Sequence, residues 1–184
     1  AVFDADEPPA ANPVTLQSAV ESGETRAAHS VFMRTFGYFD VFVDGRALLF
    51  TVPKTKELLA LLVDRHGGYV EPSAAIACLW EDEPANKTTL ARYRKLAMRL
   101  KATLAEYGIE EIIESRNGRR RIRPELIQCD LYNFLSGSED YLDQFAGLYM
   151  QNYSWGESTL ARLTALRRTR LAGRGIVDED DFDA

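Results

Sequence analysis

The pattern of hydrophobic and polar positions divides the chain into a strand-rich part followed by helices. Residues 31–52, VFMRTFGYFDVFVDGRALLFTV, are rich in Val, Phe and Tyr, and an Asp44-Gly45 pair interrupts them. β-Branched and aromatic residues favour strands, and an Asp-Gly pair favours a two-residue turn because both residues tolerate positive φ. The segment predicts a small antiparallel sheet of three or four strands that ends at Pro53.

Two helical patterns follow the predicted sheet. Residues 54–68 carry leucines at helical spacing and end in Gly67-Gly68, which favours a helix C-terminus at that point. Residues 73–82 form the second pattern. Ser73 is a suitable N-cap for this helix, because its hydroxyl can accept a hydrogen bond from a first-turn N–H.

The longest helical pattern runs over residues 86–107 and has two different faces. Apolar positions recur at steps of three and four residues, which predicts one buried stripe. The stripe consists of Leu90, Tyr93, Ala97, Leu100, Leu104 and Tyr107. The opposite side carries Thr88, Arg92, Lys95 and Arg99, with Lys87 in the first turn. The helix is therefore expected to bury one side and to expose cations on the other.

Two short strand-like runs, EEIIES and RRRIR, come next and are joined around Asn117-Gly118. Asn-Gly is a strong signal for a two-residue hairpin turn. The basic residues around this turn are Arg116, Arg119, Arg120 and Arg121. Because side chains alternate along a strand, we expect Arg119 and Arg121 on one face of the hairpin and Arg120 on the other.

After Pro124 the pattern becomes aromatic and helical. Asp130 is a candidate cap for a short helix, and Ser154 precedes Glu157 by three residues, which is the spacing of a capping box. Arginines cluster at the end of the last helical pattern, where cations suit the helix dipole. Residues 125–175 are therefore predicted to form a helical extension.

In order, the elements are a small sheet, two helices, a long basic helix and a hairpin. Two helices joined by a turn and followed by a hairpin form the winged helix-turn-helix plan, in which the hairpin is the wing. We therefore predict an α+β winged helix-turn-helix domain over 31–124, with an N-terminal antiparallel sheet and a C-terminal hairpin wing. The helical extension over 125–175 follows it. Residues 1–30 and 176–184 are acidic and low in aromatics, which predicts a linker and a flexible tail.

Charge is distributed unevenly along the chain. The whole sequence has a net charge of −6, but residues 86–123 hold eleven Lys and Arg against four Glu. A basic segment on an acidic protein indicates a polyanionic partner, of which DNA is the usual one. A solvated face of an ordinary amphipathic helix is the alternative explanation for the helix alone. The adjoining basic hairpin and the preceding helix pair favour DNA.

The sequence argues against several other classes of protein. No apolar run reaches the length of a membrane span, and the acidic N-terminal residues do not resemble a signal peptide, so a cytoplasmic protein is expected. Cys78 and Cys129 are isolated, and so are His29 and His66. With neither metal-ligand spacing nor a phosphate-binding glycine loop, we expect no metal, no cofactor and no enzymatic activity.

Several segments carry a resemblance to a known family. They are RTFGYFDVFVDGRAL (34–48), KTKELLALLVDRHGG (54–68), CLWEDE (78–83), the basic helix, IQCDLYNFL (127–135) and FAGLYMQNYSWGE (145–157). The chain resembles the effector domain of OmpR/PhoB-type response regulators. The resemblance is closer to the branch that includes the Streptomyces antibiotic regulatory proteins, whose winged helix leads into a bacterial transcriptional activation domain.

The resemblance implies a sequence-specific transcription regulator that binds double-stranded DNA. Helix 86–107 would enter the major groove and the wing over 115–123 would touch the minor groove or the backbone. The implied contacts of the helix are Thr88, Arg92, Lys95 and Arg99, with Lys87 near a phosphate; those of the wing are Arg116, Arg119, Arg120 and Arg121. RNA polymerase and a second copy of the chain, as a homodimer on DNA, are further expected partners.

The sequence departs from the family pattern in two ways. A phosphorylatable receiver domain often precedes the winged helix, whereas this chain has only NPVTLQSAVESG (12–23), which resembles the end of a receiver and its exit linker. The activation domain would be present only as its first turns. The alternative function is a protein-interaction winged helix without specific DNA binding, in which the aromatic region 132–155 docks a partner.

Overall fold

A computed structural model describes residues 28–175 of the chain. The predicted acidic tail at 176–184 and most of the predicted linker at 1–30 lie outside the described residues. The described strands are β1 (Val31–Arg34), β2 (Asp40–Val43), β3 (Arg46–Ala47), β4 (Ile113–Arg116), β5 (Arg119–Ile122) and β6 (Gln128–Cys129). The described helices are α1 (Pro53–Asp64), α2 (Pro72–Leu79), α3 (Lys87–Glu106), α4 (Asp130–Leu135), α5 (Glu139–Gln144) and α6 (Glu157–Gly173).

The N-terminal sheet has the strand order β3-β2-β1-β6. Strands β1 to β3 are antiparallel, and the turn between β2 and β3 has positive φ at Asp44 (50°) and Gly45 (79°), as predicted from the Asp-Gly pair. The fourth strand differs from the prediction. The fourth strand is β6, which follows the hairpin in the sequence. It pairs parallel to β1 through Phe32↔Gln128 and Met33↔Cys129.

Helix α1 lies at the centre of the hydrophobic core. Its residues 58–63, LLALLV, are all fully buried. A helix that is apolar all round must be covered on every side. Helices α2 and α3 and strand β5 pack against it. The extension also reaches α1, because the Tyr132 hydroxyl donates to the Val63 carbonyl at 2.7 Å and the Tyr149 hydroxyl bonds the Asp64 carboxylate at 2.7 Å.

Helix α3 begins where the sequence predicted. The Asn86 side chain accepts from the backbone N–H groups of Thr88 and Thr89 at 2.9 and 3.0 Å, and the Thr89 hydroxyl accepts from the Asn86 N–H at 2.8 Å, which completes a capping box. The predicted stripe is buried at Tyr93, Ala97, Leu100 and Leu104 and half-buried at Leu90 and Tyr107. The periodicity therefore identified the inner side of the helix correctly.

The caps predicted at Ser73 and Ser154 are wrong. Helix α2 starts at Pro72, with Glu71 as N-cap and no side-chain cap, because the fixed φ of proline suits the first helical position. Helix α6 has Gly156 as N-cap. Ser154 lies in the 3₁₀ turn before it and hydrogen-bonds the Glu81 carboxylate instead of capping its own helix.

Asp130 joins the extension to the sheet. It is the first residue of α4, is 3% exposed, and bonds the N–H of Leu131 at 2.8 Å in its own helix. Its carboxylate also accepts from the Thr35 N–H at 2.9 Å, the Thr35 hydroxyl at 2.6 Å and the Phe36 N–H at 3.0 Å, all directly after β1. Asp130 was expected to cap its own helix, but most of its hydrogen bonds join α4 to the residues after β1.

The arginines at the end of α6 also serve the fold. Arg170 donates to the carbonyls of Phe134 and Leu135, the last turn of α4, and its guanidinium lies 4.9 Å from the Phe134 ring centre. Arg174 forms ion pairs with Glu139 (3.2 Å) and Asp143 (3.6 Å) of α5. These cations bind the extension together, in addition to suiting the dipole of their own helix.

We expect Asp130→Ala to lower the free energy of unfolding by about 3 kcal/mol or more, because it leaves several buried donors without an acceptor. Asp130→Asn should cost less, since one carbonyl oxygen remains. Urea denaturation measures both variants. Asp143→Ala, at an exposed ion pair, is the control and should change stability by less than about 0.5 kcal/mol. Equal losses at positions 130 and 143 would contradict this role for Asp130.

Leu100, which is 1% exposed, and the exposed Lys95 test the orientation of α3. Leu100→Ala should destabilise the protein by about 2–5 kcal/mol through a core cavity. Lys95→Ala should change stability by less than about 0.5 kcal/mol. Thermal unfolding followed by circular dichroism gives both values, and similar losses in the two variants would mean that the helix is turned differently.

Candidate nucleic-acid interface

The outer side of α3 presents the polar side chains predicted from the sequence. These exposed residues are Lys87, Thr88, Arg92, Lys95 and Arg99. The first four of them, with Ala91, line an open concavity of about 510 Å³ along the first half of the helix. No acidic residue occurs in α3 before Glu106. The exposed side of the helix therefore carries only positive or neutral side chains up to its last residue.

Arg92 is held in place by the loop before α3. Its guanidinium lies 2.8 Å from the Glu83 carboxylate and 4.9 Å from the centre of the Trp80 ring. Lys87, Lys95 and Arg99, by contrast, form no ion pair with any described residue. Arg92 therefore has to break its ion pair with Glu83 before it can bind an external anion. Lys87, Lys95 and Arg99 can bind one without losing an ion pair.

The hairpin turn has the predicted geometry, with φ of 51° at Asn117 and 78° at Gly118. Its arginines divide between the two faces as alternation predicts. Arg119 and Arg121 both lie over the Tyr69 ring, at 5.4 and 5.5 Å from its centre. Arg120 points to the other face and lies 5.2 Å from the ring centre of the buried Tyr93 in α3.

Most of the hairpin arginines have acidic or backbone partners. Arg121 pairs with Glu114 at 2.7 Å across the strands, and Arg119 lies 3.6 Å from Glu71. Arg120 donates to the Gly118 carbonyl at 3.3 Å. Arg116, beside the turn, is exposed and has no charged partner within residues 28–175. Arg116 is thus the hairpin cation most available to a ligand.

Glu114 has a lowered pKa. The hydrogen bond from Tyr69 is the largest cause, followed by the bond from Arg121. Glu114 consequently stays ionised and neutralises part of the arginine charge on that face. The Tyr69 face of the hairpin is therefore built as a compensated charge network, and its positive charge is weaker than the residue count suggests.

Backbone pairing fixes the hairpin against the helices. Val70, in the loop between α1 and α2, exchanges hydrogen bonds with Arg120 at 2.8 and 3.3 Å. Gly67 approaches Pro124 so closely that a Cβ would lie 2.8 Å from the proline ring, and its φ of 85° also requires glycine. The hairpin is therefore fixed to the α1–α2 loop, and α3, whose Tyr93 ring lies against Arg120, packs on α1 and α2.

Three exposed residues of α3 belong to this surface but were not predicted as site residues. Arg94, Met98 and Lys101 lie on its outer side, and Met98 is 71% exposed. The helical wheel contained this signal, because each of the three falls outside the arc of the apolar stripe.

The described part of the chain offers neither a metal site nor a membrane-spanning helix. It contains no group of three His, Cys, Asp or Glu side chains that could hold a metal ion. None of its helices combines the length and the apolarity needed to cross a membrane. Cys129 is buried, and burial raises the pKa of its thiol, which makes it a poor nucleophile.

Comparison with known proteins identifies the fold. No protein-family model matches the sequence, and neither does any curated protein. The structure is similar to that of Mycobacterium tuberculosis EmbR in complex with a low-affinity phosphopeptide, with a TM-score of 0.62 at 19% sequence identity. The match covers 76% of this chain and 43% of the EmbR chain, so this chain spans less than half of that protein. The likeness supports the winged-helix type of fold, a mixed α+β arrangement with a small sheet and six helices.

Proposed function

We propose that this chain is the DNA-binding part of a bacterial transcription regulator and reads double-stranded DNA in a sequence-specific manner. The observation that carries the proposal is the cationic outer side of α3, which has no acidic residue before Glu106 and is fixed beside a basic hairpin. Although the chain has a net charge of −6, this one surface carries Lys87, Lys95, Arg99 and Arg116, which form no ion pair with any described residue. Such a concentration favours a polyanion over a neutral or acidic partner.

Helix α3 has a suitable length and lining for the major groove. Its 20 residues extend over about 30 Å, and the groove is about 12 Å wide, which admits an α-helix. Lys95 and Arg99 would then face the bases, where Arg or Lys contacts to guanine are the commonest specific ones. Lys87, in the first turn, would bind a phosphate at the edge of the groove.

The hairpin would act as the wing, with Arg116 at its tip contacting a phosphate or the minor groove. Arg119 and Arg121 face away from Arg120, so the four arginines cannot all enter one groove. Arg120, over Tyr93, is better suited to orient the hairpin against α3 than to bind DNA. This division of roles refines the prediction that all four arginines contact DNA.

The resemblance to OmpR/PhoB-type effector domains suggests the wider setting. RNA polymerase and a second copy of the chain on DNA are its expected partners. The competing protein-interaction role relied on exposed aromatic side chains over 132–155. Phe134, Phe145 and Tyr149 are buried, and Tyr153 stacks on Trp155 at 5.2 Å, so few of these aromatic surfaces remain for a partner.

Salt dependence tests whether DNA is the partner. If about six phosphates are neutralised, the logarithm of the affinity for a random duplex should fall with the logarithm of salt concentration, with a slope of about −5. Fluorescence anisotropy with a labelled duplex measures this slope. A protein-only module should give almost no signal, and a slope near zero would contradict the proposal.

Glu83→Gln should tighten DNA binding by about two- to fivefold at low salt. The substitution frees Arg92 from an exposed ion pair, typically worth about 0.2–1 kcal/mol, and removes a negative charge near the phosphates. Glu139→Gln, on α5, makes the same change in net charge away from α3 and is the matched control. Equal effects of the two variants in the anisotropy assay would show that Arg92 does not contact DNA.

A further inference from the structure

Met98 is an exposed apolar side chain surrounded by cations on the outer side of α3. It is 71% exposed and lies twelve residues into the helix. Residues three and four positions away are its neighbours on the helix surface. Three of these four neighbours, Arg94, Lys95 and Lys101, are exposed cations, and the fourth is Ala102. The middle of the face thus combines one flexible apolar group with three positive charges.

A single exposed methionine is ordinary on a protein surface. The location of Met98 is what distinguishes it. The other large exposed apolar residues of the described chain, Tyr38, Leu49, Leu126 and Leu148, all lie outside the α-helices. Met98 alone among them lies on α3, at the edge of the face that would enter the major groove and next to Lys95 on the helix surface.

We propose that Met98 contacts the C5-methyl group of a thymine and is a specificity-determining residue. This inference rests on the proposed DNA-binding function. The thymine methyl is the one apolar group that base edges present in the major groove. A methionine side chain is long, unbranched and adaptable, so it can cover that methyl while the neighbouring cations bind phosphates or guanine.

An acidic peptide is the other conceivable occupant. A groove of about 360 Å³ between α3 and the hairpin is lined in part by Met98, Lys101 and Arg123. Two observations favour DNA. Met98 is still 71% exposed although it lines this groove, and the exposed cations Arg94 and Lys95 lie one helical turn before it, where they could bind phosphates of a duplex.

Replacing thymine by deoxyuridine in the DNA tests the contact directly, because it removes only the methyl group. A tight-binding duplex is first selected from a random pool, and a second version carries uracil in place of every thymine. Wild-type protein should bind the uracil duplex about fourfold more weakly, the factor that corresponds to about 0.8 kcal/mol for one buried methyl-sized group. Met98→Ala should bind both duplexes with equal affinity. Leu49→Ala, at a 74% exposed loop residue, should keep the fourfold ratio and serves as the control.

Equal binding of the two duplexes by the wild-type protein would overturn the inference. A Met98→Ala variant that keeps the fourfold ratio would also overturn it. If that variant binds both duplexes with the same affinity as the wild type, Met98 does not contact DNA, which is the result expected if it contacts a peptide. These outcomes differ from a failure of the proposed function, in which neither duplex binds and no salt dependence is seen. Thermal unfolding of Met98→Ala should match the wild type, because the side chain is exposed.

Discussion

The buried carboxylate of Asp130 is the interaction on which the arrangement of the chain depends. A buried charge is tolerated only when its hydrogen-bonding capacity is filled, and here backbone and hydroxyl donors of Thr35, Phe36 and Leu131 fill it. These donors come from the end of β1 and the start of α4. The carboxylate therefore sets the position of the extension against the sheet, which in turn places Tyr132 and Tyr149 over the end of α1.

The same principle of compensated charge separates two groups of arginines. Arg170 and Arg174 hold the extension together, and Arg119 and Arg121 lie over Tyr69 next to Glu71 and Glu114. An arginine with carboxylate and aromatic partners must lose them before it binds an external anion. Among residues 28–175, the cations without such partners lie mainly on α3. The number of arginines therefore identifies the basic segment of the sequence. The partners of each arginine decide whether it is free to bind an external anion.

The fold also explains why a rather short hairpin can act together with a long helix. The Val70–Arg120 backbone pairing and the close contact of Gly67 with Pro124 fix the hairpin to the α1–α2 loop. Helix α3 packs on α1, which the core covers on every side. The helix and the hairpin are therefore presented in one orientation, which would reduce the entropy lost if both bind one duplex as proposed.

The sequence by itself determined the features that depend on local periodicity and turn chemistry. The buried side of α3 followed from the spacing of Tyr93, Ala97, Leu100 and Leu104, and both two-residue turns followed from an Asp-Gly and an Asn-Gly pair. The alternation of Arg119 to Arg121 followed from the period of a strand. Only the tertiary structure decided that β6 joins the sheet, that Asp130 bonds residues about 95 positions earlier, and that Ser154 bonds Glu81 instead of capping α6. Local sequence specifies what an element can bury or expose, whereas long-range hydrogen bonds depend on which elements the packing of the core brings together.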